Sequence, residues 1–163
     1  MPHEERILVC KTVEDVHDAI TTLAVRGAPA IGIAAAYGML LGLEDGHSIK
    51  DELKVRAAYL SGARPTAVNL SWAVNRILKV LDAAASGDVL DLLEQEAVAI
   101  HEEDRVACRR IGEHGVTLIN QGMNILTHCN AGWLATVDWG TALAPMSGEC
   151  AGAFCASSAT LAP

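Results

Sequence analysis

The sequence predicts a mainly α-helical fold. A helical N-terminal domain covers 1–112, the first strand–helix unit of an α/β domain covers 113–146, and a divergent tail covers 147–163. Three observations predict this. Apolar residues recur at three- and four-residue spacing in most segments before Gly112, the period of a helix with one buried face. Apolar residues make up 51% of the chain but aromatics only 4%, so the core must be Ala, Leu, Val and Ile, which suits close-packed helices. Finally, 123–128 is a short apolar run that ends in small residues, with a helix start at Trp133, the order of a strand, a loop and a helix.

Residues 2–10 read as extended or irregular. Thr12 and Asp15 have the spacing of a capping box. Val13, Val16, Ile20 and Leu23 then recur in phase, which predicts an amphipathic helix over 13–25. The next helix, 29–43, is apolar on all sides and is expected at the buried centre. Its Gly32, Ala36, Gly38 and Gly42 suit close backbone approach. Glu44 to His47 form a turn, and Ser48 caps a helix with Leu53, Ala57 and Leu60 on one face, ended by Gly62. Arg64-Pro65 is a connector, because the residue before proline avoids helical dihedrals. A helix over 66–81 follows, with Leu70, Val74, Ile77 and Leu81 in phase. Residues 82–87 are a hinge or loop. Asp88 caps a long helix to about Ile111, whose charged run Glu94, His101, Glu102, Glu103, Asp104 and Arg105 reads as a solvated face. Gly112 and Gly115 break that helix, and a short turn at 116–120 precedes the strand.

The length suits one sizeable core. Acidic residues number 20 and basic residues 12, a net charge of −8, which argues against general nucleic-acid binding. An anionic substrate then needs a local arginine cluster against the overall field. The cysteines at 10, 108, 129, 150 and 155 are odd in number and match no zinc spacing. They read as reduced thiols of a cytoplasmic protein, with no metal site and no leading signal segment. The uncharged stretch 28–43 is too short and too rich in Gly and Ala for a membrane span.

Two motifs carry chemistry. In Val25-Arg26-Gly27-Ala28-Pro29-Ala30-Ile31-Gly32 a fixed cation stands before a helix begun by proline. The first turn offers unpaired N–H groups and the positive dipole end, so Arg26 beside it suits a phosphate or carboxylate. The bland alternative is a buried helix after a tight turn, with Arg26 solvated. In Thr127-His128-Cys129-Asn130-Ala131-Gly132 a thiol sits at the carboxyl end of the strand, where α/β folds place ligands. A helix N-terminus just beyond favours thiolate. The alternative is a small buried hydrophobe.

Together with Arg64-Pro65-Thr66-Ala67-Val68-Asn69-Leu70, these motifs resemble the N-terminal half of the methylthioribose-1-phosphate isomerase family, which shares its fold with the regulatory subunits of translation initiation factor 2B. The matching stretches are 25–38, 64–69, 112–115 and 127–143, within a similarity running from about 2 to 146. The resemblance implies an aldose–ketose isomerase of methionine salvage that turns 5-methylthioribose 1-phosphate into 5-methylthioribulose 1-phosphate without a cofactor. It implies that Arg26, Gly27 and Ala28 contact the substrate, that Arg64 holds its phosphate or hydroxyls, and that Cys129 is catalytic. The catalytic aspartate that pairs with the cysteine in the family belongs to a C-terminal half with no counterpart here. The α/β unit is thus expected to be the start of a truncated Rossmann-like domain, and the chain an inactive form. Its exposed edges should drive homodimer formation or other self-association through 123–143. Alternatives are a non-catalytic regulatory protein of the initiation factor 2B type and a ribose-1,5-bisphosphate isomerase. His128 should point away from Cys129 by strand alternation. Asn130 shapes the loop, His114 is a helix-end cation, and Asp138 lies in the following helix on the wrong element for a catalytic aspartate.

Overall fold

The computed structural model describes residues 7–43, 49–84, 88–120 and 122–146. It has five α-helices in chain order, then two single turns of 3-10 helix. Helix α1 spans Val13–Thr21, α2 Ala28–Gly38, α3 Ile49–Ala63, α4 Val68–Ala83 and α5 Val89–Val116. The short turns are Trp133–Ala135 and Ala144–Met146. The core is aliphatic, as the composition requires. Ile20, Met39, Leu53, Leu60, Leu70, Ile77, Leu81, Leu93 and Ile100 are fully or nearly fully enclosed, drawn from every helix or its edge.

Local chemistry sets the helix starts. The predicted capping box of α1 is present in full: the Asp15 N–H donates to Thr12 Oγ1 at 3.2 Å and the Thr12 N–H donates to Asp15 Oδ2 at 3.1 Å. α1 is shorter than the expected 13–25, because Leu23 turns left-handed at φ 63° and the Val25 N–H closes back onto the Ala19 carbonyl at 2.9 Å. α2 starts at Ala28, which puts Pro29 at the second helical position, still among the residues that need no N–H partner. It ends at Gly38, short of 43, and Arg56 from α3 supplies what its frayed end lacks. That guanidinium donates to the carbonyls of Met39 and Leu41 and pairs with Glu52. α3 runs one residue past Gly62, and α4 is shifted by two residues from 66–81. The expected turn at Glu44 to His47 and the Ser48 cap lie outside the described residues, as do 85–87 and the tail.

α2 is the centre of the assembly, as its uniform apolarity predicts. Gly32 is the reason it can lie so near α4. A Cβ there would stand 2.7 Å from the Asn69 carbonyl oxygen, so only glycine permits this backbone approach. The contact joins the first turns of both helices.

Two expectations for 113–146 are corrected. Gly112 and Gly115 do not end α5, which continues through both to Val116. Glycine costs a helix only about 1 kcal/mol relative to alanine, and here the missing side chains make room: Gly112 is buried, and a Cβ on Gly115 would collide with the Pro145 ring. The strand–helix unit is also not formed. Residues 123–128 have no regular secondary structure and belong to no ladder, since no described segment offers them a partner edge. The helix expected from Trp133 is a single three-residue turn. Loop tethers replace regular structure through this region.

Candidate functional site

The two arginines of the motifs stand at the same end of the helical core. Arg26 lies two residues before α2 and is exposed; Arg64 lies four residues before α4 and is half-buried. The Ala67 N–H donates to the Arg64 carbonyl at 2.9 Å, which folds that segment into a tight turn leading into α4. α2 and α4 meet through Gly32 and Asn69, which lie five and two residues into their helices. A groove runs beside them, lined by Pro29, Ile33, Asn69, Trp72, Ile100 and Asp104 among others. The first turns of α2 and α4 reach this groove through Pro29 and Asn69, and Glu103 and Asp104 add carboxylates to its lining.

Gly27 brings a third segment to this face. Its φ is 101°, in the left-handed region, and a Cβ on it would sit 2.5 Å from the Ala135 Cβ. The Arg26–Gly27 turn therefore lies directly on the short helical turn that follows Cys129. The 131–143 stretch folds onto itself. Thr141 and Leu143 donate their N–H groups to the Ala131 carbonyl at 2.9 and 3.4 Å. Thr136, buried, donates its hydroxyl to the Asp138 carbonyl and accepts from the Gly140 N–H at 3.2 Å. Gly140, at φ 83°, leaves room for the Ala131 carbonyl that a side chain would block.

Cys129 is exposed at the mouth of this loop and adopts φ 74°. A non-glycine residue in the left-handed region is uncommon, and such backbone strain concentrates at functional positions. The exposure removes the alternative that Cys129 is a buried hydrophobe. That description fits Cys108 instead, whose thiol is enclosed and pushed up in pKa by burial first and by the charge of Asp104 second. The helix expected from Trp133 is only a three-residue turn, so a strong helix dipole does not act there.

The remaining candidates divide. His128 and Asn130 are both exposed beside Cys129. His114 sits in the last turn of α5, the place for a helix-end cation. Asp138 is not helical; its carboxylate accepts from the neighbouring Trp139 N–H at 2.9 Å. The charged run of α5 is more than a solvated face. Arg76 reaches it from α4, donating to Glu96 at 2.6 Å and to both oxygens of Glu103, while stacking 5.0 Å from the Trp72 ring centre. His101 Nδ1 lies 3.2 Å from the Tyr37 hydroxyl. Asp104 accepts from the Val137 N–H at 2.9 Å. Sequence reading missed all three, because helical phase alone does not separate a charge facing water from one facing another element. Among the described residues no group of acidic, His and Cys side chains is arranged to hold a metal ion, and no helix is long and apolar enough to cross a membrane.

Comparison with known proteins places this arrangement. The model of the initiation factor 2 subunit family matches residues 24–145. A Moorella thermoacetica protein named 5-deoxyribose 1-phosphate isomerase is 51% identical over 154 residues, covering 90% of this chain and 44% of its own length. A Rhodopirellula baltica methylthioribose-1-phosphate isomerase is 51% identical over 148 residues, covering 85% and 41%. Among solved structures, the 5-methylthioribose 1-phosphate isomerase of Pyrococcus horikoshii superposes with a TM-score of 0.83 at 38% identity, over 94% of this chain and 45% of that one. The delta subunit of translation initiation factor eIF-2B from A. fulgidus gives 0.79 at 41% identity, over 93% and 46%. The chain spans less than half the length of each of these relatives. With the family's motifs in order and its fold matched across the helical core, the chain belongs to the initiation factor 2 subunit family.

Proposed function

We propose that this chain carries the N-terminal share of a sugar-phosphate isomerase site, with 5-methylthioribose 1-phosphate as substrate and 5-methylthioribulose 1-phosphate as product. The observation that carries the reading is the seating of Gly27 on Ala135, which lays the Arg26 turn against the loop that begins at Cys129. Arg26 contacts the substrate and Arg64 its phosphate or hydroxyls, both as planar, permanently charged donors. The Gly27 and Ala28 backbone lets the sugar approach the first turn of α2. Cys129 handles a proton as hydrogen moves from C2 to C1, a step that needs an acid/base pair. The relatives' names support the class of reaction. Residues 1–112 act as the helical domain and 113–146 as the first part of a Rossmann-like domain, in which 123–128 would pair as a strand; 147–163 form a separate tail.

The pair to Cys129 is assigned, by resemblance, to an aspartate in the part of the relatives that lies beyond this match. The 163 residues alone are therefore inactive, since loss of one acid/base member costs about two to four orders of magnitude. Exposed Leu126, Trp133 and Leu134 make the chain self-associate, as a homodimer or larger, in the cytoplasm. A second reading, 5-deoxyribose 1-phosphate as substrate, is favoured by the Moorella relative. The A. fulgidus neighbour keeps a non-catalytic regulatory role as a further alternative, and the family likeness keeps ribose 1,5-bisphosphate as another substrate.

Binding tests the site without requiring turnover. 5-Methylthioribose 1-phosphate should shield Cys129 from iodoacetamide, and Arg26→Ala or Arg64→Ala should abolish the shielding. Equal labelling of Cys129 with and without the sugar phosphate would remove the proposal. Turnover by the chain alone, dependent on Cys129, would show that a residue within it replaces the aspartate.

A further inference from the structure

We propose that Asp104 is a positioning residue for the candidate site: by accepting the Val137 N–H it holds the Cys129 loop in register with the Arg26 turn. The proposal rests on the isomerase reading above and extends it to a residue on another helix. Asp104 lies in the middle of α5, half-buried, among residues lining the groove beside Asn69 and Trp72. Its Oδ2 accepts from the Val137 N–H at 2.9 Å, across 33 residues of sequence. The Cys108 thiol, one turn along α5, donates weakly to the same oxygen at 3.9 Å.

The segment it holds has little structure of its own. Between Cys129 and Met146 the regular elements are two three-residue turns, so position there depends on tethers to the helices. Arg109 stacks 5.7 Å from the Trp139 ring centre, and Gly115 receives Pro145. These are a ring contact and a shape fit, whereas Asp104 supplies a charge-assisted hydrogen bond of fixed direction. From Val137 the connection back to Cys129 is short. Thr136 holds the Gly140 N–H, Gly140 packs over the Ala131 carbonyl, and Ala131 lies two residues from Cys129. On the other side of the same segment Ala135 meets Gly27. Asp104 thus adds a directed clamp from α5 to a loop that meets α2 through Gly27 and α5 through Arg109 and Gly115.

The test compares Asp104→Ala with Asp104→Asn in the 163-residue chain. The amide oxygen of Asn can still accept from the Val137 N–H, so it is the conservative rescue. The readout is protection of Cys129 from iodoacetamide by 5-methylthioribose 1-phosphate, followed by peptide mass spectrometry, with Cys10 labelling and far-UV helicity as controls for folding. Removing a hydrogen bond to a charged group shifts a local equilibrium by roughly tenfold. Asp104→Ala should therefore reduce the protection about tenfold, with helicity and Cys10 labelling unchanged, and Asp104→Asn should restore most of it. Protection that survives Asp104→Ala overturns the positioning role while leaving the site intact. Absence of protection in the unaltered chain overturns the site and the role together. If Asp104→Ala fails to fold, Asp104→Asn decides: retained protection in a folded chain supports the tether, and lost protection with normal helicity overturns it.

Discussion

Gly27 and Ala135 meet so closely that neither position tolerates a larger neighbour across the contact. The Gly27 backbone is left-handed at φ 101°, and the space for its absent side chain is filled by the Ala135 backbone and methyl group. Through this contact the helical core and the loop after Cys129 are one face.

Gly27→Ala should therefore be costly twice over. The backbone strain is about 1–3 kcal/mol, and the collision with Ala135 adds displacement of the loop. Urea denaturation is expected to show a loss of that order. Labelling of Cys129 should also lose its dependence on sugar phosphate. A stability change below about 0.5 kcal/mol, the level of an ordinary surface substitution, would show that the loop does not rest on α2.

Cys129 should be alkylated faster than Cys10 or Cys108. It is exposed, Cys10 is half-buried, and Cys108 is enclosed with its thiol held protonated by burial and by the charge of Asp104. The thiolate is the reactive form. Limiting iodoacetamide at neutral pH, with mass-spectrometric mapping, orders the three. Faster modification of Cys108 would mean that α5 is not packed against 131–144.

Acid should weaken the fold through identifiable carboxylates. Backbone N–H groups of Lys11 and Thr12 hold Asp15 below its usual pKa, Arg105 does so for Glu102, and Arg76 does so for Glu103. A carboxyl with a lowered folded pKa stabilises the fold above its unfolded value of about 4. That contribution disappears as pH falls through the lower folded value. Urea midpoints should be flat from pH 7 to about 5 and decline below about 4. Arg76→Ala should make the decline shallower, because Glu103 then titrates alike in both states. An unchanged slope in Arg76→Ala would count against the role given to that pair.

The loop region should drive self-association. Leu118, Met123, Ile125, Leu126, Trp133 and Leu134 are all exposed, Leu126 at 93%. An exposed cluster of apolar side chains on unpaired backbone favours pairing with another chain. Sedimentation at high micromolar concentration should show dimers or larger species, reduced by Leu126→Lys. A clean monomer would exclude this outcome.

Sequence alone determined the helical core. The capping box at Thr12 and Asp15, the apolar phases of α1, α3 and α4, and the uniform apolarity of α2 are local signals, and each became the expected helix within about five residues. The motifs around Arg26, Arg64 and Cys129 were also legible, because short runs of Gly, Pro, Arg and Cys are unusual enough to read. Tertiary structure decided the rest. Whether 123–128 forms a strand depends on a partner edge, which no residue within the segment can supply. Gly115 does not end α5, and there Pro145, thirty residues further on, fills the space a side chain would take. Asp104 looks the same in sequence as Glu102, one turning to solvent and the other holding Val137. Periodicity records which face a residue occupies, but only the packed chain settles what that face meets.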